Sequence, residues 1–124
     1  MSDLVKQLQL SFKKNERYTR EEITNRLMEI NEGGIPLPQQ NATAFTYNRV
    51  NVGQGAFIPL FEWVGQSEYI FLDENHPYSG ELIHNAQGIG PRVVGIWEKG
   101  SLKWLDDGVY DFDSWKSSLN IDRN

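Results

Sequence analysis

The chain has 124 residues, no cysteine and a formal net charge of −5. The absence of cysteine excludes disulfides, thiolate metal sites and a cysteine nucleophile. No apolar run approaches the roughly 20 residues of a membrane-spanning helix, and the opening M-S-D-L-V-K-Q-L-Q-L lacks the basic region and apolar block of a signal peptide, so a cytoplasmic protein is expected, as a single domain over residues 1–124.

Leu4, Val5, Leu8 and Phe12 recur at helical spacing and predict an amphipathic helix over residues 3–14. Lys13, Lys14 and Asn15 suit its end, with cations at the negative pole of the helix. A second helix starts at Thr19, an N-cap completed by Glu22 as a capping box, with Tyr18 and Ile23 at the staple positions. Ile23, Leu27 and Ile30 form its buried stripe. Gly33-Gly34 end it, and Pro36 and Pro38 forbid continuation.

Residues 38–47 read as a short third helix, with Ala42 and Phe45 inward, and Gln39, Gln40, Asn41, Thr43, Thr46 and the following Asn48 outward. Strand formers from Leu60 to Leu72, interrupted by Gly65-Gln66-Ser67, predict a hairpin. Asp73 to Gly80 is turn-rich. Arg92–Glu98 and Leu102–Leu105 predict a second hairpin closed by Lys99-Gly100-Ser101, and residues 110–119 a short closing helix. The expected fold is α+β and winged helix-turn-helix-like: N-terminal helices followed by two β-hairpins, the first of them the wing.

In such a domain the third helix reads duplex DNA. Asn and Gln pair bidentately with adenine in the major groove. Base contacts are therefore expected from Gln39, Gln40, Asn41 and Asn48, and phosphate contacts from Arg20, Arg49, Tyr47 and Lys14. The plainer alternative is a solvated helix face with Tyr47 as a half-buried core ring. Charge limits the DNA reading. Residues 1–53 carry seven Lys/Arg against six Asp/Glu, and residues 54–124 five against eleven. Only the front half can approach a polyanion, so binding should be weak and salt-dependent.

Enzymatic constellations are poor. His76 and His84, without further ligands at readable spacing, do not make a zinc site. Asp73-Glu74, Glu98-Lys99 and Asp113 to Lys116 lack nuclease spacing, and no Gly-rich phosphate loop or nucleophile elbow occurs. A non-enzymatic protein without metal or cofactor is expected.

A second reading belongs to another class, an acidic inhibitor of a nucleic-acid-handling defence enzyme, of the kind phages carry. Asp106, Asp107, Asp111 and Asp113 would imitate phosphates, with Trp104 and Trp115 as anchors. Its plain alternative is a solvated acidic tail.

The order Y-T-R-E-E-I, a proline turn, T-Y-N-R-V-N, L-F-E-W-V-G, E-Y-I-F-L, H-P-Y-S-G and V-V-G-I-W resembles a small winged-helix-like domain of uncharacterised bacterial and phage proteins. That domain is also found as a tail on restriction-endonuclease-type proteins. The resemblance spans roughly residues 18–98 and implies a DNA-associated accessory role rather than an enzyme. The chain departs from the pattern at L-P-Q-Q-N-A, where a shorter Pro-Ser-Asp type of helix start is expected.

Overall fold

The two helices follow from local signals. In the computed structural model, which describes residues 2–37, 42–50, 57–86 and 90–105, α1 spans Ser2–Ser11 and α2 spans Arg20–Glu32. Thr19 Oγ1 accepts the Glu22 backbone N–H at 3.1 Å, and the Thr19 N–H donates to Glu22 Oε1 at 2.8 Å. This reciprocal pair satisfies two of the donors that a helix start leaves open. At the far end Gly34 takes a φ of +103°, a left-handed conformation that favours glycine.

Seven strands form two sheets. In the first, β1 (Arg17–Thr19) and β3 (Phe61–Gly65) flank β4 (Glu68–Phe71), all antiparallel. In the second, β2 (Arg49–Val50) runs parallel to β5 (Gly80–Ala86), followed by antiparallel β6 (Gly90–Glu98) and β7 (Ser101–Trp104). Lys99 and Gly100 turn β6 into β7 with both φ angles positive, 50° and 88°, which matches the right-handed twist of a two-residue hairpin. Among the described residues no helix is long and apolar enough to cross a membrane.

The winged-helix expectation is overturned: the architecture is mostly β, with two helices and sheets of three and four strands. The described part of the predicted third helix is a single 3-10 turn, Ala42–Phe45. Ala42, Ala44, Phe45, Thr46 and Tyr47 are all buried. With Thr43 alone half-buried between Ala42 and Tyr47, the run has no outward recognition face. After the turn the chain extends beside β3: Thr46 bridges Phe61, and the Tyr47 N–H donates to Phe61 O at 2.7 Å. It then becomes β2, so one segment stitches the two sheets together. Thr, Phe, Tyr and Val, which favour strands, dominate it.

The predicted wing is corrected too. The Phe61–Leu72 hairpin does form, but β4 is the central strand of its sheet, and Tyr69 and Phe71 are each only 1% exposed. A wing must project into solvent, and this hairpin instead carries the core.

Two aromatic-rich cores result. Leu4 and Leu8 of α1, Phe12 just after it, Ile23 and Leu27 of α2, Phe45, and Phe61 and Phe71 pack in the first. Tyr47, Val50, Tyr78, Leu82, Val94 and Trp97 pack in the second.

Buried tyrosines set an alkaline limit on this fold. Burial, then the charge of Glu62 and a 3.3 Å hydrogen bond to Glu62 Oε2, push the Tyr78 pKa up. Burial chiefly, with Asp73 and Glu74 adding to it and a backbone hydrogen bond from His76 opposing it, raises that of Tyr47. A native state that holds these protons more tightly than the unfolded chain keeps its full stability below the ordinary tyrosine value. It loses that stability as pH rises beyond it. The expected slope is about −1.4 kcal/mol per pH unit per tyrosine above about pH 10. Denaturant unfolding at about pH 8 and about pH 11 measures it, and Tyr78→Phe should make the decline shallower. An unchanged slope in that variant would show that Tyr78 is not the titrating group.

Candidate functional site

Two arginines expected to hold phosphate converge on one cleft. Arg20 is the first residue of α2, set there by the Thr19 cap, and its backbone N–H donates to Ser67 O at 2.7 Å. The side chain reaches β4, where Nη2 donates to the Tyr69 hydroxyl at 2.9 Å and the guanidinium lies 5.8 Å from the ring centroid. Arg49 begins β2, and its guanidinium lies over the Trp63 ring, 4.3 Å from the centroid. At that distance the ring quadrupole attracts the cation.

Sheet register brings the two contacts together. Trp63 of β3 lies directly opposite Tyr69 of β4, and opposed residues share a face. The next pair on that face, Phe61 and Phe71, is buried in the first core with Tyr69, and Trp63 is half-buried against it, so an arginine contacts each ring of the Trp63–Tyr69 pair. Asn48 locks the arrangement: its Nδ2 donates to Trp63 O and its Oδ1 accepts the Trp63 backbone N–H, both at 2.8 Å. The Trp63 indole N–H donates to Gln66 O at 2.8 Å.

The cleft has a volume of about 230 Å³ and is lined by Arg20, Thr43, Arg49, Trp63, Gln66 and Tyr69. Among the described residues no carboxylate lines it. The nearby acids have other partners: Glu68 is ion-paired with Arg17 at 2.9 Å, Glu22 closes the capping box, and Glu62 accepts from Tyr78. Glu21 lines a shallow recess on the other side of Arg20, with Thr19, Thr24, Asn25 and Ser67. Among the described residues neither Arg20 nor Arg49 has an ion-pair partner. Two arginines on one cleft, with neither an ion-pair partner nor a lining carboxylate among the described residues, can hold an anion with planar or tetrahedral oxygens.

The other expected site residues fare differently. Tyr47 is buried, donating its hydroxyl to Asp73 O at 2.7 Å and accepting the His76 N–H at 3.1 Å, so it belongs to the core and not to a phosphate contact. Both ends of the Asn48 amide are engaged with backbone, which leaves no free edge for adenine. Lys14 is exposed and does not line the cleft. Gln39, Gln40 and Asn41 lie outside the described residues, as do Asp106, Asp107, Asp111, Asp113 and Trp115 of the inhibitor reading. Trp104 is half-buried, packing edge-on against Phe57 beside the second core. Sequence reasoning missed Trp63, Gln66 and Tyr69 as site residues, and had Thr43 only in the outward polar row. The hairpin register, which pairs Trp63 with Tyr69, was the one available signal for them.

No curated protein and no solved structure matches the chain. One family model does, over residues 3–104, which takes in every strand and all but the first residue of α1. The chain belongs to that family, a domain of unknown function designated DUF7225.

Proposed function

We propose that this chain is a non-enzymatic DNA-binding accessory module that docks the sugar-phosphate backbone in the Arg20–Arg49 cleft. The observation that carries the reading is the pair of guanidiniums on one cleft, with neither an ion-pair partner nor a lining carboxylate among the described residues. The DNA-associated accessory role implied by the resemblance agrees with it, whereas a recognition helix and wing form no part of it. Apart from Trp104, the inhibitor reading rests on residues outside the described ones, and no observation favours it.

The size of the contact sets the expected behaviour. Two arginines neutralise one or two phosphates. Affinity should then fall only about tenfold between roughly 50 and 200 mM salt, against the ~10³–10⁵-fold loss of a protein making 6–10 phosphate contacts. Affinity itself should lie in the weak nonspecific range of about 10⁻⁴–10⁻⁶ M. Fluorescence anisotropy with a labelled mixed-sequence duplex tests this. Arg20→Ala and Arg49→Ala should each weaken binding by roughly tenfold or more, the worth of a charge-assisted hydrogen bond. Arg49→Lys should recover only part of the loss, because a lysine ammonium keeps the charge without the planar fork. Binding that is indifferent to both arginines would remove the cleft from the docking surface.

A further inference from the structure

We infer that the Arg20–Arg49 cleft takes a phosphate monoester, the terminal phosphate of a nucleic-acid strand, in preference to an internal phosphodiester. The inference rests on the DNA-binding reading and narrows its ligand.

Donor count and placement come first. The lining offers two guanidiniums and the Gln66 amide. They come from the start of α2, β2 and the β3–β4 turn, so three separate elements present donors to one cleft. A terminal phosphate carries nearly two negative charges and three strong acceptor oxygens. Two fixed cations with one neutral amide donor beside them match it in charge and in oxygen number. An internal diester carries one charge and two free oxygens, and its two ester oxygens must leave in two directions.

Size points the same way. The cleft, at about 230 Å³, lies below the ~300–1,000 Å³ of pockets that enclose a whole small molecule. It suits a single group attached to something that stays outside.

Global charge is the third argument. A strand laid across the protein would cross a molecule of net charge −5, whose residues 54–124 hold five cations against eleven acids. Repulsion of that kind grows with every further phosphate brought to the surface. Engaging one end group collects the favourable charge and leaves most of the strand in solvent. A phosphorylated protein side chain would present the same monoester. The nucleic-acid source is favoured because the Arg49 guanidinium over Trp63 makes a cation–aromatic stack that a terminal base can extend.

The test compares one labelled oligonucleotide in four forms: a 5′-phosphate, a 3′-phosphate, both ends hydroxyl, and the hydroxyl form with inorganic phosphate added as competitor. Anisotropy is measured on the full chain, wild type, Arg49→Ala and Arg49→Lys, with circular dichroism to show that the variants fold. At least one phosphorylated form should bind roughly tenfold tighter than the hydroxyl form, the worth of one added charge-assisted hydrogen bond. That gain should vanish in Arg49→Ala, and millimolar inorganic phosphate should compete for it. Equal, arginine-dependent affinity for all forms would overturn the inference while leaving backbone docking intact. Failure of every form to bind at low salt would overturn both. A phosphoserine peptide that binds Arg49-dependently and tighter than any strand would keep the monoester chemistry and overturn its nucleic-acid source.

Discussion

Tyr47→Ala is expected to destabilise the native state by about 3–5 kcal/mol, the range for removing a large aromatic from a packed core. Tyr47 is 1% exposed. Its ring stacks on Tyr78 at 5.1 Å and meets Trp97 edge-on at 5.2 Å. Its hydroxyl ties the loop after β4 to the core through Asp73 O and the His76 N–H. Against a typical total stability of about 5–15 kcal/mol, such a loss leaves the fold marginal. Tyr47→Phe separates the two contributions. It keeps the ring but strands a carbonyl and an N–H, which should cost about 1–3 kcal/mol. Urea unfolding of both variants measures the difference. If Tyr47→Phe were as stable as wild type while DNA binding fell, Tyr47 would be a ligand contact after all and its buried placement would be wrong.

Asn48→Ala is expected to cost about 2–3 kcal/mol, from two hydrogen bonds lost and a half-buried donor and acceptor of Trp63 left open. It should also weaken DNA binding several-fold, because Asn48 pins the strand that carries Trp63 beneath the Arg49 guanidinium. Asn48→Asp should be no better. The carboxylate still accepts from the Trp63 N–H, but it faces the Trp63 carbonyl without a hydrogen to offer. Thermal unfolding and anisotropy on the same samples separate this positioning role from base reading. A base-reading Asn48 would lose affinity with an unchanged Tm. A positioning Asn48 loses both, and Arg49→Ala then adds little further loss of affinity to the Asn48→Ala variant.

The cleft was half legible. Arg20 and Arg49 stood out because arginine in a polar front half is the residue for phosphate wherever the chain leads. Their aromatic partners did not, since Trp63 and Tyr69 read as strand formers and nothing local tells a core aromatic from one at the core's margin. Tyr47 and Asn48 were misplaced for the opposite reason. Polar and aromatic side chains look solvent-facing when their partners, Asp73, His76 and the Trp63 backbone, lie far along the chain.

What the sequence by itself determined is local. The Thr19–Glu22 box, the Gly33-Gly34 stop and the Lys99-Gly100 turn each depend on hydrogen bonds or backbone angles within a few residues. Those terms are present whatever the rest of the chain does. Only the tertiary structure decided what became of residues 42–50. A helix there would have satisfied its own backbone, but the edges of two sheets offered backbone partners at Phe61, Ile83 and His84. Trp63 is held by the Asn48 side chain and not by backbone, and the sheets also offered burial of Phe45, Tyr47 and Val50. Burial of three such side chains contributes several kcal/mol, more than the helix propensity of a short Thr-rich segment can oppose. The same choice turned a predicted recognition helix into the seam between two sheets, and it put Arg49 over Trp63, within reach of the cleft that Arg20 shares.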